Sequence, residues 1–195
     1  MAVIRQQTAQ IEKSDAMIQR SLNENYKAAV KALDAIPGIG RISAEQILAE
    51  TSADMSSFKN QHSLSKWAGV CPGNNESAGK RKSGRTPPGN KMLKSTLVQC
   101  ATSARKNKKS FFSAQYSRLV SHRGKNRATM AVAHSMLIAI YFVLSGQQFK
   151  DLGADYYLQF NRVRKINSHV RQLSKLGVAI PDNVLMAAFD RLPDG

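Results

Sequence analysis

Apolar residues recur along this chain at helical spacing. From Ile4 to Leu22, the residues Ile4, Ile11 and Ile18 return every seven positions among Gln, Arg, Lys and Glu, as in a lone helix with a narrow seam. Gln7 and Ser14 hold the companion positions, so the seam suits either a weak coiled coil or packing on the body of the same chain. Leu22, Tyr26, Ala29, Leu33 and Ile36 continue the spacing up to Pro37, whose ring disfavours helix in the residue before it. After Pro37-Gly38-Ile39-Gly40 a new stripe of Ile42, Ala44, Ile47 and Leu48 begins, with Ser43 and Gln46 at capping-box spacing. A short helix is expected around Leu64 to Ala68, with Trp67 as a core anchor. Gly69 to Gly89 holds five glycines and three prolines in 21 residues and reads as a long loop. Asn90 is placed to cap a helix carrying Met92, Leu93, Thr96, Leu97 and Cys100 on one face. Past Arg105-Lys-Asn-Lys-Lys109 the pattern predicts four more features. They are a helix through Phe112, Tyr116 and Leu119, a basic turn from Ser121 to Arg127, an apolar helix ending at Leu144, and a polar helix bearing Val163, Ile166, Val170 and Leu173. No β-alternation of useful length occurs. The fold class is therefore all-α, divided into a linker helix (1–32), a central domain (33–150) and a helical tail (151–195).

With 42% hydrophobic residues in 195, the chain can bury a core. Its most apolar stretch, Met130 to Leu144, is short of the roughly 20 residues of a membrane span, so a buried helix and no membrane partner are expected. The N-terminus lacks the apolar run of a secretory signal. Two cysteines, Cys71 and Cys100, make neither a disulfide framework nor a zinc pattern, which places the chain in a reducing, cytoplasmic setting. His62, His122, His134 and His169 have no zinc-site spacing, and no metal site is expected in this chain. Phe111, Phe112 and Tyr116 read as core for at least two of the three.

Charge changes the picture. Residues 1–76 hold 8 basic and 8 acidic side chains, residues 77–150 hold 15 basic and none acidic, and residues 151–195 hold 6 and 5. A solvated face normally mixes signs, whereas here Glu76 and Asp151 bracket a block without one carboxylate. Contact with a phosphate backbone follows, and clustered carboxylates for metal-dependent phosphoryl transfer are missing from that block.

Two segments carry candidate chemistry. In Leu33-Asp-Ala-Ile-Pro-Gly-Ile-Gly-Arg-Ile-Ser-Ala-Glu-Gln-Ile-Leu48, Gly38 and Gly40 leave no Cβ between chain and phosphate, and Arg41 stands beside the turn. The alternative is an αα-corner whose glycines only let helices pack closely. The second segment strings serines and glycines among Lys80, Arg81, Lys82 and Arg85, followed by Asn90, Lys91 and Lys94. These are the expected DNA-binding residues. Composition does not choose among the serines.

The glycine hairpin resembles a helix-hairpin-helix element. Together with Gly69-Val-Cys-Pro72, Glu76-Ser-Ala-Gly-Lys80, the basic stretch, Gly89-Asn-Lys-Met-Leu-Lys94 and Phe149-Lys-Asp-Leu-Gly-Ala-Asp-Tyr-Tyr157, it resembles the C-terminal domain of transposases of the insertion-sequence 110 (116/902) family. The resemblance runs from about Leu33 to Leu176, and the preceding helix is similar to the family's coiled-coil linker. It implies a serine nucleophile at Ser77, with Ser83 the weaker candidate. It also implies DNA as partner, a structured guide RNA, a homo-oligomer, and a nuclease-like domain whose acidic site binds a divalent metal. That domain is not in this sequence, so the serine domain is expected to be incomplete alone and to need no cofactor of its own. Two rivals stay open: a non-catalytic module that holds DNA or guide RNA, and, from charge alone, a structural RNA-binding protein.

Overall fold

A computed structural model describes residues 2–21, 24–72, 75–77, 80–83, 86–179, 181, 183 and 184, with side chains outside the described set at 2–3, 18–21, 75–77, 80–83 and 158–165. The eight α-helices among these residues are α1 (Ala2–Ser21), α2 (Glu24–Asp34), α3 (Arg41–Thr51), α4 (Gln61–Ala68), α5 (Lys91–Ala104), α6 (Phe111–Arg123), α7 (Lys125–Leu144) and α8 (Tyr156–Lys175). The chain is all-α apart from one short ribbon, β1 (Asn75–Ser77) paired with β2 (Lys80–Ser83). The ribbon replaces part of the loop expected between Gly69 and Gly89.

Helix α7 is the centre of the fold and packs against α2, α4, α5 and α6. Its buried residues, Ala128, Thr129, Val132, Ala133, Met136, Leu137, Ile140 and Val143, spread over a broad face at helical spacing. By length and composition α7 could cross a membrane. Here that apolar face is instead the core, closed by Leu33 and Ile36 at the end of α2, Ile47 and Leu48 of α3, Leu64 of α4, and Leu93 and Leu97 of α5.

Several details differ from the periodic reading. α3 starts at Arg41 behind Gly40, which offers no side-chain cap, so Ser43 lies inside the first turn and is not a cap. Trp67 is 40% exposed and leans on Phe58 at 5.4 Å between ring centroids, so it is not a core anchor. Met92 is exposed too. Successive helical residues are turned by about 100°. Trp67 therefore falls beside the buried face set by Leu64, Ser65 and Ala68, and Met92 falls beside that of Leu93, Thr96, Leu97 and Cys100. The basic turn contracts to Gly124, since α6 runs to Arg123 and α7 starts at Lys125. Ile4 and Ile11 on α1 stay exposed and do not pack on the body, while the Ile18 side chain lies outside the described residues.

Candidate nucleic-acid interface

The segment that carries Ser77 leaves the helical body through a narrow neck. α4 ends at Gly69 in the left-handed conformation (φ 69°), and the chain returns at Gly89, whose α-carbon is packed against the Gly69 backbone. The Asn90 N–H donates to the Trp67 carbonyl at 3.2 Å and closes the neck. Any side chain at Gly69 or Gly89 would collide with the opposite strand of the neck, so glycine is required on both sides.

Above the neck the chain folds back on itself. Asn75 faces Ser83, Glu76 faces Arg81 and Ser77 faces Lys80, with an irregularity between Asn75 and Glu76. Ser77 is therefore the last residue of its strand before a two-residue connection, in register with the first lysine of the basic run. Residues 78–79 and 84–85, including Arg85, lie outside the described residues, as do the side chains of Ser77, Lys80, Arg81, Lys82 and Ser83.

At the base of the ribbon the polar side chains are held by the body. Asn90 caps α5 as expected, its Oδ1 accepting from the Leu93 N–H at 3.0 Å, and its Nδ2 donates to a Glu50 carboxylate oxygen. With both ends of its amide engaged, Asn90 is an anchor for the ribbon's return. Lys94 is half-buried and donates from Nζ to Thr86 Oγ1 at 3.0 Å, tying the second leg of the segment to α5. Lys91 is exposed. Neither the Gly69–Gly89 crossing nor the Thr86–Lys94 bond was expected from the sequence; the paired glycines at the two ends of the loop were the available signal.

The glycine hairpin sits elsewhere. Gly38 takes φ 92° and lies against α5, where an added Cβ would stand 2.6 Å from the Cys100 carbonyl oxygen and 2.7 Å from Ala104. A Cβ at Gly40 would meet nothing. Gly38 thus serves close helix packing, and Gly40 opens α3 to solvent with its first N–H groups uncapped by any side chain. Because Gly38 meets the C-terminal end of α5 while Asn90 begins it, the hairpin and the ribbon stand at opposite ends of that helix, roughly 20 Å apart for its 14 residues at 1.5 Å each. Arg41, beside the hairpin, is already engaged: it donates to Glu45 Oε1 at 2.9 Å and to Asp15 Oδ2 of α1 at 3.1 Å. The hydrogen bond to Asp15, then the charge of Glu45, raise its pKa above the usual arginine value.

Six further cations of the block gather at the two ends of α6. Lys106, Lys108 and Lys109 precede it, Arg123 closes it beside His122, and Lys125 and Arg127 follow it, all exposed. Arg105 instead donates to Tyr116 Oη at 3.1 Å, and Arg118 lies over the Tyr157 ring at 4.6 Å. Phe112 is buried and Phe111 packs against Tyr156 and Tyr157, so these aromatics belong to the core and its margin. Among the described residues no group of three or more His, Cys, Asp or Glu side chains could hold a metal ion. Cys100 is buried, and burial raises its thiol pKa against a hydrogen bond with Ser43.

The sequence is similar to known transposases. The sequence model of the transposase IS116/IS110/IS902 family matches residues 30–117, from α2 through the hairpin and ribbon into α6. The transposase for insertion sequence element IS1111A of Coxiella burnetii is 30% identical over 141 residues, 67% of this chain and 38% of that protein. The transposase-like protein y4pF/y4sB of Sinorhizobium fredii is 32% identical over 126 residues, 62% of this chain and 32% of its own length. The chain thus matches well under half the length of either relative. Residues 30–117 belong to the IS116/IS110/IS902 family of insertion-sequence transposases.

Proposed function

We propose that this chain supplies the serine-bearing, DNA-binding part of an insertion-sequence transposase, with Ser77 as its nucleophile. The observation that carries the reading is the register of the ribbon: Ser77 pairs with Lys80 next to the turn, at the end of a segment fixed to the body by the Gly69–Gly89 neck. In the reaction Ser77 Oγ attacks a DNA phosphorus, one phosphorus–oxygen ester bond breaks, and the displaced sugar oxygen leaves with a proton. The strand is held as a phosphoserine until an incoming sugar hydroxyl attacks the same phosphorus and releases the serine. Lys80, Arg81, Lys82 and Arg85 offset the charge that develops on the phosphate oxygens. A divalent metal enters only through an acidic nuclease-like domain supplied in the assembly. Lys91 extends the same contact to the strand, while Asn90 and Lys94 position the ribbon. The uncapped start of α3 at Gly40, with Gly38 shaping the turn, binds backbone phosphate without reading sequence. The exposed Ile4 and Ile11 seam of α1 suits a second copy of the helix, and a guide RNA is the further partner of the assembly.

A suicide DNA substrate, offered with the acidic domain of a related transposase, tests the chemistry. A covalent protein–DNA adduct is expected in the native chain and in Ser83→Ala, and none in Ser77→Ala. An adduct that persists in Ser77→Ala removes Ser77 from the mechanism. Salt-sensitive binding with no adduct in any variant leaves the non-catalytic module as the correct reading.

A further inference from the structure

We propose that α6 is a strut that sets two cationic turns at a fixed spacing, and that together they grip the phosphate backbone of one DNA duplex. The first turn presents Lys106, Lys108 and Lys109, and the second presents Arg123, Lys125 and Arg127 with His122 and Asn126, all exposed. None of these cations takes part in the three ion pairs among the described residues. Along the solvent side of α6 between the turns stand Ser117, Arg118 and Ser121, with no carboxylate. Asp151, at the start of the strut, is turned inward: its Oδ1 accepts from the Phe111 and Gly153 N–H groups at 2.8 and 2.9 Å, while Asp155, before the Tyr156 that packs on Phe111, stays exposed.

The strut is rigid. Ser110 caps α6 through the Ser113 N–H, Phe112 and Ser113 are buried, and Gln115 donates to Ser135 of α7 at 2.8 Å. Arg118 is fixed on the Tyr157 ring. Thirteen residues at 1.5 Å each separate the turns by about 20 Å, or about six base pairs of duplex at 3.4 Å per step. A clamp with a preset span gains most from a partner whose charges are also at a preset span, as in a duplex, which is stiff over about 150 base pairs. Neither turn presents an exposed Phe, Tyr or Trp on which unpaired bases could stack, which disfavours single-stranded DNA or RNA as the occupant. The inference extends the DNA-binding half of the proposed function and is independent of the serine chemistry.

The test is salt-titrated binding of the full chain to a short duplex of arbitrary sequence, with single-stranded DNA and RNA of equal length as parallel arms. Replacing Lys106, Lys108 and Lys109 by Gln, or Arg123, Lys125 and Arg127 by Gln, should each reduce the log–log salt slope on duplex by about two to three, and the combined variant by about five. Charge-keeping swaps (Lys106→Arg, Lys108→Arg, Lys109→Arg; Arg123→Lys, Lys125→Arg, Arg127→Lys) should retain the native slope, and melting curves of all variants should superimpose because every site is exposed. A native slope after removal of either cluster, a combined effect no larger than a single one, or equal losses on the single-stranded arms would each overturn the proposal. Ser77→Ala should leave the slope unchanged, so failure here and failure of the adduct test remain distinct.

Discussion

A methyl group on Gly89 would lie 2.6 Å from the Gly69 α-carbon, so the two legs of the serine-bearing segment touch backbone to backbone where they leave the body. Real Cβ atoms do not approach so closely. Gly89→Ala must therefore either splay the neck, breaking the bond from the Asn90 N–H to the Trp67 carbonyl, or push α4 from α5. The expected cost is about 1–3 kcal/mol in urea unfolding. Loss of adduct formation should exceed what that destabilisation explains, because the ribbon loses its fixed base. An alanine variant with native stability would show that the neck is looser than its geometry.

The two hairpin glycines should respond oppositely. Gly38→Ala places a Cβ against the Cys100 carbonyl and Ala104 at a backbone angle that L-residues rarely adopt, and is expected to cost about 1–3 kcal/mol. Gly40→Ser meets no neighbour and gives α3 the side-chain cap it lacks, which should stabilise by a few tenths of a kcal/mol. Chemical denaturation of the pair checks both signs. Equal penalties would mean that Gly40 also has a packing role.

The helical skeleton was legible because Leu33, Ile36, Ile47, Leu48, Leu93 and Leu97 repeat at helical spacing and are all buried. Trp67 and Met92 misled for a geometric reason: a short amphipathic helix buries a limited arc, and size does not move a residue into it. The ribbon was hidden because Asn75-Glu-Ser77 and Lys80-Arg-Lys-Ser83 contain no apolar residue, so pairing there rests on the backbone. Its one sequence cue is the two-residue Ala78-Gly79 connection. The charge block was legible as a partner signal but not as an arrangement. Segment counting could not reveal that Arg41 is paired with Asp15 and Glu45, or that six exposed cations gather at the two ends of α6.

Asp151 should matter more to stability than an ordinary tail carboxylate. It accepts from the half-buried Phe111 N–H at the start of α6 and from the Gly153 N–H, which docks the chain entering α8. Asp151→Ala leaves both donors unpaired and should cost about 1–3 kcal/mol. Asp151→Asn keeps an acceptor oxygen but loses its charge at a helix N-terminus, so a loss of about 1 kcal/mol is expected. Urea midpoints of the three proteins give the order directly, and an alanine variant as stable as the asparagine one would refute it.

His134 on α7 makes stability depend on pH in a stated direction. Burial, and secondarily the charge of His62 on α4, hold its pKa below the usual histidine value. Above about pH 6.5, the ordinary value, the imidazole is neutral in both folded and unfolded chains, and its full contribution to the fold is present. As pH falls below that value the unfolded chain takes up a proton that the folded one resists, so stability declines until the folded group also titrates. The melting temperature of the native chain should therefore drop between pH 7 and pH 5. His134→Gln should flatten that part of the profile, and His62→Gln should reduce its slope by a smaller amount because charge is the lesser of the two causes. Parallel profiles for the native chain and His134→Gln would show that other groups carry the acid sensitivity.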